Sequence, residues 1–345
     1  MKTDREKHDL GGHVKSIHVA TAEFKEENDQ FVEKPWFSRA VTFDREGNII
    51  EYINRNPDGT EWRTVNDYSV EGKLLTTRSY DPSGQPGGGV NYVYDSEGRL
   101  IAEQIIAPDG ALHTPTTYSY EAGYKVKTQI SEFEESDDVG MLIGIEETNT
   151  SIGVRSAKRI ETRYDERDKA TEIKIYNADG ALVARVEIKR DERGNPLEET
   201  QYIGDVVSFT PCASDSCSAE QETELTEEQK AELETEVAEM FAPGAVMSKQ
   251  IHKYDRAGRL VESTLTMMGM NAGRQTFGYD EFGNKSEEVN FDEDGTIRKA
   301  IFTREYDKQG NWTKEIVSTA SAWDAKFGLS IPSNVTRRTI TYHEN

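Results

Sequence analysis

One phrase recurs along this chain: an aromatic residue, an acidic or polar residue, and three positions later a glycine followed by a polar or basic side chain. It reads Phe43-Asp44-Arg45-Glu46-Gly47-Asn48, Tyr68-Ser69-Val70-Glu71-Gly72-Lys73 and Tyr94-Asp95-Ser96-Glu97-Gly98-Arg99, at spacings of 25 and 26 residues. It returns as Tyr254-Asp255-Arg256-Ala257-Gly258-Arg259, Tyr279-Asp280-Glu281-Phe282-Gly283-Asn284 and Tyr306-Asp307-Lys308-Gln309-Gly310-Asn311, at spacings of 25 and 27. Degenerate copies stand at Tyr120, Tyr164 and Arg190. A period of this length belongs to a stack of supersecondary units rather than to a single-core enzyme domain.

The phrase has a local physical meaning. Aspartate at the first turn position accepts hydrogen bonds from the turn's own amides, and the glycine supplies positive φ. The phrase is therefore a hairpin corner with a bulge. Stretches that follow it, such as Asn48-Ile49-Ile50-Glu51-Tyr52-Ile53 and Arg259-Leu260-Val261-Glu262-Ser263-Thr264-Leu265, have the β-branched, partly alternating character of strands. Second corners appear midway, at Asn56-Pro57-Asp58-Gly59, Ala107-Pro108-Asp109-Gly110, Asn177-Ala178-Asp179-Gly180 and Asp292-Glu293-Asp294-Gly295. The expectation is a mainly all-β fold, an antiparallel β-hairpin meander or ribbon of about 26 residues per repeat, with one inserted α-helix. Phe43, Tyr68, Tyr94, Tyr120, Tyr164, Tyr254, Tyr279 and Tyr306 are read as an aromatic ladder, with Gly47, Gly98, Gly258, Gly283 and Gly310 as the turn glycines.

Along the chain, residues 1–345 read as one elongated or curled β-repeat domain. Residues 1–12 are polar and expected to fray, and 13–42 form a capping hairpin. Regular repeats fill 43–133, an acidic and apolar insertion occupies 134–159, and repeats resume over 160–204. A second insertion, 205–249, holds a cysteine loop and a helix over 226–241. Thr226 and Gln229 make its capping box, and Leu233, Val237, Met240 and Phe241 its apolar stripe. Repeats and a closing strand take up 250–345, with Arg337 and Arg338 suited to protecting a free sheet edge.

Charge bounds the partners. The net charge is −23, which argues against nucleic acid and anionic lipid surfaces. Of that excess, 15 charges sit in residues 131–150 and 219–239, so the repeats themselves are only mildly acidic. No apolar run is long enough to span a membrane as a helix. The start at Met1 is unlike a secretory leader, so the compartment is periplasmic, cell-surface or secreted if such a leader has been removed, and otherwise cytoplasmic. Cys212 and Cys217 either close a small disulfide loop or remain reduced thiols.

Chemistry leaves few marks. The chain has no Gly-x-Ser-x-Gly, His-Glu-x-x-His or phosphate-binding loop, its six histidines are scattered, and no metal or cofactor site is expected. The residues with most to offer a ligand are the tryptophans, Trp36, Trp62, Trp312 and Trp323.

The segments Tyr94-Asp95-Ser96-Glu97-Gly98-Arg99-Leu100 and Tyr254-Asp255-Arg256-Ala257-Gly258-Arg259-Leu260 resemble the YD repeat of the RHS family of bacterial surface, secreted and toxin-delivery proteins. The resemblance covers roughly 43–125, 160–200 and 250–315. It implies a β-sheet ribbon and a setting on the bacterial exterior. It implies no activity, because the motif marks a hairpin. The expected function is a non-enzymatic scaffold of the bacterial envelope or exterior that binds a carbohydrate or protein ligand. One alternative is an immunity or accessory protein that meets a basic partner through its acidic insertions. The other is a hydrolase working through paired carboxylates.

Overall fold

The computed structural model describes residues 3–28, 30–121, 126–131, 141–144, 151–154, 157–205, 240–292, 297–320 and 330–344. The predicted helix over 226–241 and the Cys212–Cys217 loop fall outside these residues, apart from Met240 and Phe241. The chain divides into two compact units, one made of Met1–Pro115 with Gln275–Asn345 and the other of Thr116–Arg274.

Both units are antiparallel β-structure. The first holds β1 (Val14–Glu27), β2 (Gln30–Phe43), β3 (Ile49–Arg55), β4 (Glu61–Tyr68), β5 (Leu74–Tyr80), β6 (Pro86–Tyr94) and β7 (Leu100–Ile106). β8 (Leu112–Tyr120) runs over the boundary into the second unit, which continues with β9 (Val126–Ser131), β10 (Met141–Gly144), β11 (Ser151–Val154) and β12 (Arg159–Tyr164). β13 (Ala170–Tyr176), β14 (Leu182–Arg190), β15 (Pro196–Ile203), β16 (Val246–Tyr254) and β17 (Leu260–Met267) follow. After β18 (Met270–Tyr279), which crosses back, come β19 (Lys285–Phe291), β20 (Ile297–Tyr306), β21 (Trp312–Ala320) and β22 (Ile331–Tyr342). In the second unit β9 pairs with both β8 and β12, each strand from β12 to β17 pairs with the next, and β10 and β11 form a separate ladder.

Every regular corner is built alike. At Asp95 the backbone N–H donates to the Arg99 carbonyl at 2.9 Å, and the Gly98 N–H returns to the Asp95 carbonyl at 3.0 Å. Asp95 Oδ1 accepts from the amides of Glu97 and Arg99. Asp165, Asp191, Asp255, Asp280 and Asp307 repeat both side-chain contacts on the second and fourth residues after them. The aromatic or Arg190 before the aspartate sits at a register shift, as at Val93/Tyr94, Lys189/Arg190 and Glu305/Tyr306. The extra residue is a bulge that fixes which face each following side chain takes. Gly47, Gly98, Gly258, Gly283 and Gly310 have φ between 80° and 95°.

The midway corners use the same bonds: Asp81, Asn56, Ala107 and Asn177 each exchange hydrogen bonds with the residues three and four positions on. The structural unit is thus one strand and one corner, half of the period read from sequence. The longer period appears because corners of one type fall at alternate strand ends.

The meander is not open at the chain ends. β1 pairs with β2 on one side and with β22 on the other, so the first and last strands share a ladder from Val14↔Tyr342 to Glu23↔Asn334. β22 also pairs with β21, and Arg337 and Arg338 therefore lie inside the sheet rather than on a protected edge. Arg337 donates through both terminal nitrogens to Glu33 at 2.7 and 2.8 Å.

The segment expected to fray is pinned. Asp4–Lys7 forms a short helix, α1, capped by Thr3 and Glu6 in a reciprocal box. Asp4 accepts from the Ile49 amide, and the Gly11 amide donates to Asn311 Oδ1 at 2.6 Å. Leu10 is buried with Val14, Ile17, Val41 and Phe43. An apolar anchor plus side-chain caps on both flanks holds a short polar segment that periodicity alone marks as loose. The second unit has its own core, where Ile173, Ile175, Val186 and Ile188 alternate with ion-paired Glu172, Lys174, Arg185 and Glu187 on the opposite face. Each of the larger buried side chains contributes about 1.5–3 kcal/mol.

Two substitutions test the corner geometry. Nothing lies within 4 Å of a Cβ placed on Gly59, whose φ is 85°, so Gly59→Ala isolates the conformational cost, about 1 kcal/mol of destabilisation. Asp168 occupies the glycine position of its corner at φ 58°, and Asp168→Gly is expected to stabilise by roughly 0.5 kcal/mol. Urea midpoints of the two variants should move in opposite directions.

Candidate functional site

The ladder positions connect successive corners. The Tyr68 hydroxyl donates to the Ile49 carbonyl at 3.0 Å and the Tyr94 hydroxyl to the Leu74 carbonyl at 2.9 Å, in each case six residues after the preceding motif aromatic. Arg190 does the same work in its degenerate copy, its Nε donating to the Ala170 carbonyl at 3.1 Å. Tyr306 and Tyr342 reach instead to the carboxylates of Asp280 and Asp307. Tyr306 also stacks on Phe282 at 4.1 Å between ring centroids. Phe43 lacks a hydroxyl and is buried in the apolar cluster under α1, and Tyr164 packs on the second unit's core. Tyr120 faces Lys127 across the β8–β9 ladder, Tyr254 lies 6.4 Å from the His252 ring, and Tyr279 ends β18. Burial raises the phenol pKa of Tyr68, Tyr94 and Tyr306, so these hydroxyls stay neutral donors. The backbone amides of Arg99 and Arg259 hold the corner carboxylates Asp95 and Asp255 below the usual range. Corner carboxylates and ladder rings are engaged in holding the repeat.

The tryptophans differ from one another. Trp36 is the bulged residue of β2: Phe37 faces Thr21 and Pro35 faces Ala22, which leaves Trp36 without a cross-strand partner and 60% exposed. Trp62 is 48% exposed and pairs with Asn54. Trp312 is no open platform, because the Arg338 guanidinium lies 3.3 Å from its ring centre. Trp323 falls outside the described residues.

Sequence reasoning missed a row of cations on the face of the first unit that α1 covers at one end. Arg39 lies over Phe37 and Tyr52, at 5.1 and 4.7 Å, and bonds Asn54 at 3.3 Å. Arg304 is nearly buried, pairs with Glu315, donates to the Lys285 carbonyl and lies 5.4 Å from the Phe302 ring. Burial pushes the Arg338 pKa down to about 10, and Arg304 pushes it the same way. Cations over ring faces are stabilised by the ring quadrupole, more so when desolvated. Alternation alone was the available signal, and the adjacent pair Arg337-Arg338 obscured it.

In the second unit Glu199, His252 and Ser263 are buried together. His252 Nε2 stands 3.5 Å from Glu199 Oε1, and His252 and Ser263 are register partners. The Ser263 hydroxyl is bonded by Gln250 at 2.9 Å and His252 has no hydrogen bond to it, so the serine is not linked to a base as acyl transfer requires. A depression lined by Asp165, Arg167, Arg190 and Asp191 is made of corner residues already tied into their turns. Among the described residues no group of three or more His, Cys, Asp or Glu is arranged to hold a metal ion.

No family model matches the chain, and no curated protein matches it. Among solved structures it is similar to TcdB2-TccC3 without its hypervariable C-terminal region, at 13% identity and a TM-score of 0.38, over 88% of this chain and 14% of that one. It is also similar to a porin-like protein from Bacteroides uniformis, at 11% identity and a TM-score of 0.32, over 95% of this chain and 96% of that one. The chain thus spans about a seventh of the length of TcdB2-TccC3. Likenesses this weak assign no activity.

His8 reports on the cation row. Its ring meets Phe43 edge-on at 6.1 Å, and burial, then Arg338 and Arg39, hold its pKa below 6.5 against the opposing pull of Asp4 and Asp9. A neutral folded histidine means that the unfolded chain takes the proton first as pH falls below 6.5, so this stability is present above 6.5 and lost beneath it. In Arg338→Gln the His8 pKa should rise toward 6.5, read by NMR titration of its ring protons; an unchanged value would separate His8 from the row.

Proposed function

We propose that this chain is a non-enzymatic β-repeat scaffold that binds a protein ligand through the projecting β1–β2 hairpin. β1 and β2 have 14 residues each, against 7 in β3, so β2 runs roughly 20 Å past β3 at the usual rise, while β22 accompanies β1 as far as Glu23 and the hairpin tip extends beyond both. β3 pairs with β2 only from Ser38 to Phe43. Beyond Ser38, the stretch 30–37 has β1 on one side and, among the described residues, no strand on the other.

The observation that carries this reading is the bulge at Trp36. A bulge that throws one indole out of an exposed arm costs ladder pairing, and it has no role in the corner network. Phe31 and Val32 on the same arm are exposed, as is Ile331 at the start of β22. A free strand edge flanked by exposed aromatic and aliphatic side chains fits a partner segment adding as a strand. Pro35, which donates no backbone hydrogen bond, and the Lys34–Glu27 pair at 2.7 Å discourage indiscriminate edge pairing. This apolar company favours protein over carbohydrate.

The two faces of the first unit's sheet support an aqueous setting. One face carries Arg63–Glu51 at 2.6 Å and Lys314–Glu305 at 2.8 Å, and the other carries Arg39, Arg304 and Arg338. Lipid-facing strands need apolar side chains at every second position across about 25 Å. No helix among the described residues is long and apolar enough to cross a membrane. The YD-type phrase supports membership of the RHS family and a place on the bacterial exterior.

Panning a displayed peptide library against the full chain, beside a glycan array, tests the reading. Peptides with alternating apolar residues should be recovered, and Trp36→Ala or Phe31→Ala should weaken them at least tenfold. Glycan binding alone, no recovered peptide, or peptides indifferent to both substitutions would overturn it.

A further inference from the structure

Four of the chain's seven methionines, Met247, Met267, Met268 and Met270, stand in the second unit where β16 begins and β17 turns into β18, and the backbone there departs from the repeat twice. Met247 is the bulged residue of β16: Ser248 faces Gln201 and Val246 faces Tyr202, with Met247 between them. The second departure is the turn. Met268 and Gly269 form a two-residue hairpin loop with φ of 48° and 80°, a geometry that favours asparagine or aspartate, not methionine, before the glycine. The register brings the sulfurs to one face. Gln201 Nε2 donates to Met247 Sδ at 3.4 Å and the Ser248 hydroxyl donates to Gln201 Oε1 at 3.3 Å, so the bulge turns Met247 to the side that Gln201 and Ser248 share. Met267 is the register partner of Ser248 and takes that side too. Met270 flanks the two-residue turn opposite Met267 and shares its face. The Met268 amide ties the segments together by donating to the Met247 carbonyl at 2.8 Å.

We propose that Met247, Met267 and Met270, with Met268 beside them, form a thioether site for one soft monovalent cation, Cu(I). Cross-strand neighbours on one face stand roughly 5 Å apart at Cβ, within the span of an unbranched side chain with three rotatable bonds. Met267 and Met270 are exposed and Met247 and Met268 half-buried, so a metal ion can enter from solvent. One sulfur lone pair of Met247 answers Gln201 and the other remains for the metal. A donor set of neutral thioethers selects Cu(I), whereas magnesium and calcium require oxygen ligands. A turn that only covered apolar surface would be served by leucine or valine beside an Asn-Gly loop, and what methionine adds is its sulfur. The site belongs to the second unit and does not depend on what the β1–β2 arm of the first unit binds.

Ag(I), a redox-inert stand-in for Cu(I), tests the site. The full chain is used with Cys212 and Cys217 replaced by serine, because thiolates would capture the ion first. Methionine methyl resonances are followed by NMR during titration with silver nitrate in chloride-free buffer. Those of Met247, Met267 and Met270 should shift together and saturate at one equivalent, while those of Met1 and Met141 stay in place; Zn(II) should move none of them. Met267→Leu and Met270→Leu keep the apolar volume, and each should lower Cu(I) affinity at least tenfold in anaerobic competition with a chromophoric chelator. No saturable shift, equal shifts at every methionine, the same response to Zn(II), or leucine variants that bind as tightly as their parent would overturn the site. The methyl shifts of the parent chain decide the matter should a leucine variant fold poorly.

Discussion

The aspartate-capped corner is the interaction on which the rest of this structure depends. One carboxylate oxygen accepts two backbone amides, a left-handed residue closes the turn, and a bulge before it sets the register of the next strand. Because side chains alternate with a period of two, that register decides the face of every residue up to the next corner. In the second unit's core hairpin, Glu172, Lys174, Arg185 and Glu187 thereby meet on one face and Ile173, Ile175, Val186 and Ile188 on the other. The hydroxyl of the motif tyrosine then binds one corner to the one before it. A ladder of local hydrogen bonds thereby replaces the thick core that a chain so rich in charge cannot assemble.

Functional possibilities follow from what this network leaves unused. Corner carboxylates are occupied by amides, and several strand acids, among them Glu51, Glu198, Glu262 and Glu305, answer a lysine or arginine across a strand. Trp36 lies outside the network because a bulge in β2 ejects it, and Met247 because a bulge in β16 turns it toward Gln201. Both residues depart from the repeat at a bulge, one in each unit. A scaffold whose regular positions are all engaged concentrates recognition at such departures.

Much of the fold was legible in the sequence. Asp-x-x-Gly announces its corner chemistry directly, and the β-branched runs between corners announce strands. Three features were hidden, each for a physical reason. The pairing of β1 with β22 joins residues more than three hundred positions apart, and alternation records which face a residue takes but not which strand lies beside it. The order of residues 3–12 depends on Asn311 and Ile49 supplying partners, which no local pattern reveals. The cation row was missed because Arg39, Arg304 and Arg338 are distant in sequence, and they come together only once the ladder is closed through β1.

Closure through β1 is therefore the point on which the account stands. Ser16 and Thr341 are register partners whose hydroxyl oxygens lie 2.6 Å apart. In a background with Cys212 and Cys217 replaced by serine, Ser16→Cys with Thr341→Cys should oxidise to a single intramolecular disulfide and raise the melting temperature. Two free thiols after oxidation, or disulfides only between chains, would contradict the pairing of the first and last strands.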